Sequence, residues 1–66
     1  MTLNDKIKAL CERKKLRFKP WQWPLPWDVQ DGEECPYAPN SAGAEWWPKM
    51  MEIRATLISE IEKENN

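Results

Sequence analysis

The stretch KPWQWPLPW, residues 19–27, decides how this chain folds, because it holds three of the five tryptophans and three of the six prolines. Proline fixes φ, lacks a backbone N–H and pushes the residue before it out of the α region. Lys19, Trp23 and Leu25 each precede a proline. A regular helix or a central strand is therefore not expected here, and the pattern predicts an extended, partly polyproline-II segment between two helices.

The first helix is predicted on the N-terminal side of this stretch, over residues 3–15. Apolar residues recur at helical spacing from Leu3 to Cys11. Thr2 precedes them as a suitable N-cap, with Asp5 three residues further on in a variant of the capping box.

The second helix is predicted over residues 48–63, because proline is tolerated at the first position of a helix but breaks one that runs through it. On this interpretation Ser41 caps no more than a short turn before Pro48. The apolar face of the helix consists of a stripe and a flank: Met50, Ile53, Leu57 and Ile61, widened by Met51, Ala55 and Ile58.

The expected architecture is a single all-α domain, residues 1–66. It is a two-helix antiparallel hairpin, and a long, ordered Trp/Pro-rich loop over residues 19–41 packs across it. The antiparallel arrangement would bring the acidic C-terminal turn close to Lys6 and Lys8. That turn is unfavourable for the helix dipole, which predicts fraying at Asn65 and Asn66.

Composition argues against catalysis and against bound cofactors or metals. The chain has no histidine, two cysteines and two glycines, so it lacks a usual base, a four-ligand zinc set and a phosphate-cradling glycine run. Cys11 is interpreted as a small core residue. The N-terminal residues lack the apolar run of a secretory signal, and no apolar stretch approaches membrane-spanning length. We therefore expect a cytoplasmic, non-enzymatic protein with reduced thiols.

Binding is the better class of function, because tryptophan, tyrosine and proline together offer large contact area at low cost in conformational entropy. The first hypothesis is a protein-binding module of the adaptor or inhibitor type. Its candidate contact residues are the aromatic side chains of the loop and its border: Trp21, Trp23, Trp27, Tyr37 and Trp46.

The alternative is single-stranded nucleic-acid binding, with cations for phosphates and Trp21 and Trp23 for base stacking. Residues 1–19 carry seven basic and two acidic side chains, a net charge of +5, whereas residues 20–66 carry a net charge of −6. The candidate cations are Arg13, Lys14, Lys15, Arg17 and Lys19. A homodimer also stays open, with contacts through Met51, Ala55 and Ile58.

Overall fold

The computed structural model describes residues 2–64, and within them two α-helices pack against each other: α1, Leu3–Lys14, and α2, Ala42–Glu64. The connection, residues 15–41, is an ordered loop whose tryptophans and prolines contact both the helices and one another. The predicted all-α class is therefore confirmed. Asn65 and Asn66, where fraying is predicted, lie outside the described residues. No helix within residues 2–64 combines the length and the apolarity needed to cross a membrane.

The start of α1 has the predicted cap. The hydroxyl oxygen of Thr2 accepts a hydrogen bond from the backbone N–H of Asp5 at 3.2 Å, and the Asp5 carboxylate accepts one from the N–H of Thr2 at 3.2 Å. Two of the helix's orphan donors are thereby satisfied, so α1 begins where the sequence predicts.

The end of α1 lies one residue before the predicted one. Lys15 adopts a left-handed conformation, with φ 61° and ψ 34°. The N–H of Lys15 donates to the carbonyl of Glu12 at 3.1 Å, and the N–H of Leu16 donates to that of Cys11 at 2.9 Å. This pair of bonds is a Schellman motif, which ends the helix and turns the chain away from its axis.

The start of α2 differs from the prediction, because the helix begins at Ala42 and runs through Pro48. Ser41 caps it, with its hydroxyl accepting the N–H of Ala44 at 3.2 Å. An internal proline costs about 3 kcal/mol. Trp46 and Trp47 are both buried from positions in this first part of the helix, so their packing compensates for the proline and extends the helix beyond the predicted bound.

The direction of the helices also differs from the predicted antiparallel hairpin. Asn4, near the start of α1, bonds Arg54, whereas Lys14, at its end, pairs with Glu60. Sequence position therefore rises along both helices together, and they are parallel. The expected approach of the C-terminal glutamates to Lys6 and Lys8 is wrong. The long connection permits this arrangement, whereas short loops join antiparallel neighbours. On its way it passes the start of α1, where the side chain of Asn4 donates to the carbonyl of Val29 at 3.1 Å.

Two clusters of buried side chains form the core. Half-buried Phe18 and Ile53 pack against both clusters and so join them. The cluster between the helices is Ile7, Leu10, Cys11, Leu57 and Ile61. The cluster beneath the loop is Val29, Trp46, Trp47 and Met50. The interpretation of Cys11 as a core residue is confirmed, and three of the four predicted stripe residues of α2 are buried: Met50, Leu57 and Ile61.

Candidate binding surface

Two turns with the same sequence pattern shape the tryptophan-bearing part of the loop. In the first, residues 19–22, the N–H of Gln22 donates to the carbonyl of Lys19 at 2.9 Å. In return, the N–H of Lys19 donates to the side-chain oxygen of Gln22 at 2.7 Å. Pro20 occupies the second position, where its fixed φ suits a β-turn.

The second turn, residues 25–28, repeats this arrangement. Asp28 donates its N–H to the carbonyl of Leu25 at 2.9 Å and accepts the N–H of Leu25 on its carboxylate at 3.3 Å. Pro26 again stands second and Trp27 third. The predicted polyproline-II conformation is wrong in both turns, because a polar side chain at the fourth position closes each into a hydrogen-bonded ring.

Two buried side chains of α2 donate hydrogen bonds to backbone carbonyls of the loop. The indole N–H of Trp46 donates to the carbonyl of Pro24 at 2.8 Å, and Nη1 of Arg54 donates to that of Pro26 at 2.7 Å. Trp46 and Arg54 are each only 3% exposed. The peptide bond between Trp23 and Pro24 is cis. These bonds connect the loop directly to the helix that carries the core.

Arg54 also ties the loop to α1, a role that the sequence analysis missed. Its Nη1 donates to Oδ1 of Asn4 at 2.7 Å, and its Nε lies 3.2 Å from Oδ1 of Asp31. A signal was available in its position, four residues after Met50 and three before Leu57, on the apolar stripe. A charged residue at such a position is rarely buried unless it has partners.

The five predicted aromatic contact residues separate into three groups. Trp21 and Trp23 are each 59% exposed. Trp27 and Tyr37 are half-buried. Trp46 is a core residue, so its prediction as a contact residue is corrected: its ring lies edge-on to that of Trp21, at 6.4 Å between centroids, and supports it from beneath.

The predicted basic cluster separates in a similar way. Arg13 pairs with Glu64 at 2.6 Å, and Lys14 pairs with Glu60 at 2.8 Å. Within residues 2–64, the other three members of the cluster are exposed and form no ion pair; they are Lys15, Arg17 and Lys19.

Two of these cations line an open groove on the side of the loop, which we call the basic groove. Arg17 and Lys19 contribute the charge. The rest of its lining is apolar and consists of Leu16, Phe18, Pro20, Leu25 and Trp27. Pro20 and Trp27 belong to the two turns, so the turns set the shape of the groove. Trp21 follows Pro20 in the first turn, so the groove and this exposed tryptophan share one turn.

The two thiols of the chain differ in their surroundings. Cys11 and Cys35 are both free, the first buried and the second exposed. Burial raises the pKa of the Cys11 thiol, and the neighbouring Glu12 carboxylate adds to the effect. Among residues 2–64, no three histidine, cysteine, aspartate or glutamate side chains are grouped as metal ligands.

No protein-family model, curated protein or solved structure matches this chain. Function is therefore inferred from the surface itself. That surface consists of two exposed tryptophans on a fixed loop and of the basic groove, which the turns of the same loop help to line.

Proposed function

We propose that this chain is a non-enzymatic protein-binding module, of the adaptor or inhibitor type, that contacts its partner through Trp21 and Trp23. The supporting observation is that both rings are 59% exposed on a loop fixed by reciprocal hydrogen bonds. Tryptophan is enriched among the residues that dominate binding energy. Because the loop is already ordered, little conformational entropy is lost when a partner covers the rings.

The exposed parts of Trp21 and Trp23 are apolar surface whose burial by a partner would favour binding. Complete burial of a tryptophan covers about 150–250 Å². At about 25 cal/mol per Å², covering the remaining exposed part of each ring contributes on the order of 2–4 kcal/mol as an upper bound. A partner that buries both rings gains up to that amount from each of them without refolding the loop.

The other aromatic residues have supporting roles in this proposal. Half-buried Trp27 and Tyr37 border the contact, and Trp46 positions Trp21 from below. We place the protein in the cytoplasm, where the exposed thiol of Cys35 stays reduced.

Nucleic-acid binding is the second hypothesis, because Arg17 and Lys19 are exposed and lie close in sequence to Trp21 and Trp23. It is weakened by the ion pairs that occupy two further members of the basic cluster, Arg13 and Lys14. Salt separates the two hypotheses, since phosphate contacts weaken steeply with ionic strength and an aromatic interface does not.

The test is affinity capture from an extract of the organism that encodes the chain, with the wild type and a Trp21→Ser/Trp23→Ser variant immobilised in parallel. We expect at least one protein to be retained by the wild type in about 0.5 M salt and lost with the variant. Far-UV circular dichroism verifies that the variant folds.

The matched control is Leu3→Ser, which removes another exposed apolar side chain, at the start of α1. It should leave the capture unchanged. Equal capture by the wild type and the double tryptophan variant contradicts the proposal. Capture that depends on nucleic acid, and disappears after nuclease treatment, favours the second hypothesis instead.

A further inference from the structure

The basic groove carries positive charge that the fold does not neutralise. Arg13 and Lys14 have carboxylate partners on α2, whereas Arg17 and Lys19 have none among residues 2–64. Both are exposed and both line the groove. An occupant with negative charge is therefore favoured at this place, although the chain as a whole has a net charge of −1.

The lining between these cations suits apolar side chains. Two leucines, a proline and two aromatic rings contribute to it, and Leu16 is 43% exposed there. Phe18 lies edge-on to Trp27 at 5.8 Å between ring centroids, so this part of the wall is a packed surface. Aliphatic or aromatic groups of an occupant would bury this area.

The backbone of the groove wall is partly bonded within the chain. The N–H of Leu16 donates to the carbonyl of Cys11, and the N–H of Lys19 donates to the side chain of Gln22. Recognition in the groove therefore depends on side chains, namely the two cations and the apolar lining.

We propose that the basic groove binds a short, acidic segment of another protein that carries an aliphatic or aromatic side chain. The cations receive its carboxylates, and the apolar lining receives its apolar side chain. The inference rests on the proposed function, because the groove shares the turn of residues 19–22 with Trp21, and it specifies the chemistry of the same partner.

A peptide fits these features better than a nucleic acid does. A single-stranded nucleic acid needs cations along the whole length of its phosphate backbone. The groove provides only Arg17 and Lys19 among its lining residues. Leucine and proline walls suit aliphatic groups rather than bases. The net charge of −6 over residues 20–66 repels a long polyanion more than a short peptide with a few carboxylates.

The test begins with a random peptide library displayed on phage, selected against the immobilised full chain. An Arg17→Glu/Lys19→Glu variant is selected in parallel. A matched control, Lys6→Glu/Lys8→Glu, makes the same change in charge at exposed positions of α1 outside the groove. Circular dichroism verifies the fold of all three proteins.

We expect the wild type and the control to enrich peptides that combine Asp or Glu with Leu, Phe or Trp. The most enriched peptide is then synthesised with a fluorescein label and its affinity measured by anisotropy. The groove variant should bind it at least about tenfold more weakly than the wild type, since two attractive charges become repulsive, and the control should change the affinity by less than about threefold.

The inference is overturned by no enriched peptide, by enrichment without acidic residues, or by an affinity that Arg17→Glu/Lys19→Glu leaves unchanged. Tighter binding of mixed-sequence single-stranded DNA or RNA that this variant abolishes would overturn it as well. A dimer in sedimentation that the same variant dissociates would assign the groove to a second copy and also overturn it. Peptides that depend on Trp21 and Trp23 but not on the groove cations would leave the proposed function standing. Peptides that depend on neither would contradict both.

Discussion

Nη1 of Arg54 lies 2.7 Å from the carbonyl oxygen of Pro26 and also 2.7 Å from Oδ1 of Asn4. One buried guanidinium therefore joins α2 to the loop and to the first turn of α1. Burial of an arginine is costly unless its donors are satisfied. At Arg54, directional hydrogen bonds fix how α1, α2 and the loop meet, whereas apolar packing does so in the two core clusters.

Arg54→Met should lower the free energy of unfolding by about 3 kcal/mol, because it leaves the Pro26 carbonyl and the Asn4 amide oxygen without their donor. Arg54→Lys, which keeps the charge but not the planar group, should cost less. Urea denaturation followed by circular dichroism measures both. The control is Asp31→Asn, expected to cost less than about 1 kcal/mol because Asp31 is 71% exposed. An equal cost for Asp31→Asn and Arg54→Met would contradict this assignment.

Pro48→Ala should stabilise the protein. Pro48 is exposed and lies inside α2, where it has no N–H to donate to the preceding turn. Alanine restores that bond, and we expect a gain of about 1–3 kcal/mol in urea denaturation. Pro39→Ala, in the exposed part of the loop, is the control and should be neutral or slightly destabilising. A neutral Pro48→Ala would mean that the helix accommodates proline here without cost.

The features predicted correctly are those set by neighbouring residues. The capping box of Thr2 and Asp5 and the apolar period of α1 are local, so the helix was predicted to within one residue at its end. The start of α2 was predicted wrongly. The cost of Pro48 can be read from the local sequence, whereas the burial of Trp46 and Trp47, which offsets that cost, depends on distant parts of the chain.

The relative direction of the two helices could not be predicted from the local sequence, for a different reason. Basic residues occur along the whole of α1, and exposed ion pairs are worth about 0–1 kcal/mol, so charge does not select one orientation. In the candidate surface, the amino-acid type does not say which ring is buried: Trp46 is in the core, whereas Trp21 is not. The repeated Pro-Trp-polar pattern was present in the sequence but is recognisable as two turns only with the hydrogen bonds in view.

Gln22→Met should loosen the turn that carries Trp21. The substitution keeps the length of the side chain but removes the oxygen that accepts the N–H of Lys19 at 2.7 Å. We expect a loss of about 1 kcal/mol in the free energy of unfolding and faster exchange of the Lys19 amide proton in NMR. Gln30→Met, at an exposed glutamine, is the control. Unchanged exchange at Lys19 would show that the backbone bond alone holds the turn.

The capping box makes the stability of α1 sensitive to acid. Hydrogen bonds from the backbone N–H and then the side chain of Thr2 lower the pKa of Asp5 below its ordinary value. Because the folded-state pKa is the lower one, this stabilisation is present above the unfolded-state pKa of about 3.9 and is lost as pH falls through the folded-state value. In an NMR titration, Thr2→Val should raise the pKa of the Asp5 carboxyl. Identical titrations in both proteins would exclude a contribution from the hydroxyl.

The ring of Tyr37 occupies the place where a side chain at position 43 would begin. A Cβ added to Gly43 would lie 2.8 Å from Cγ and Cδ2 of that ring, closer than side-chain carbons approach. The ring in turn lies edge-on to Trp47, at 6.2 Å between centroids. Gly43→Ala therefore has two opposing effects. Helix propensity favours alanine by about 1 kcal/mol, whereas the added methyl group displaces Tyr37 from its packing.

We expect the displacement to prevail, so that Gly43→Ala lowers the free energy of unfolding by about 1 kcal/mol, within the usual cost of overpacking. In a Tyr37→Ala background the clash is absent, and the same substitution should raise stability by up to about 1 kcal/mol. This double-mutant cycle tests the contact by a change of sign, which a general loosening of the loop would not produce. If Gly43→Ala destabilises both backgrounds equally, the glycine is required by something other than the Tyr37 ring.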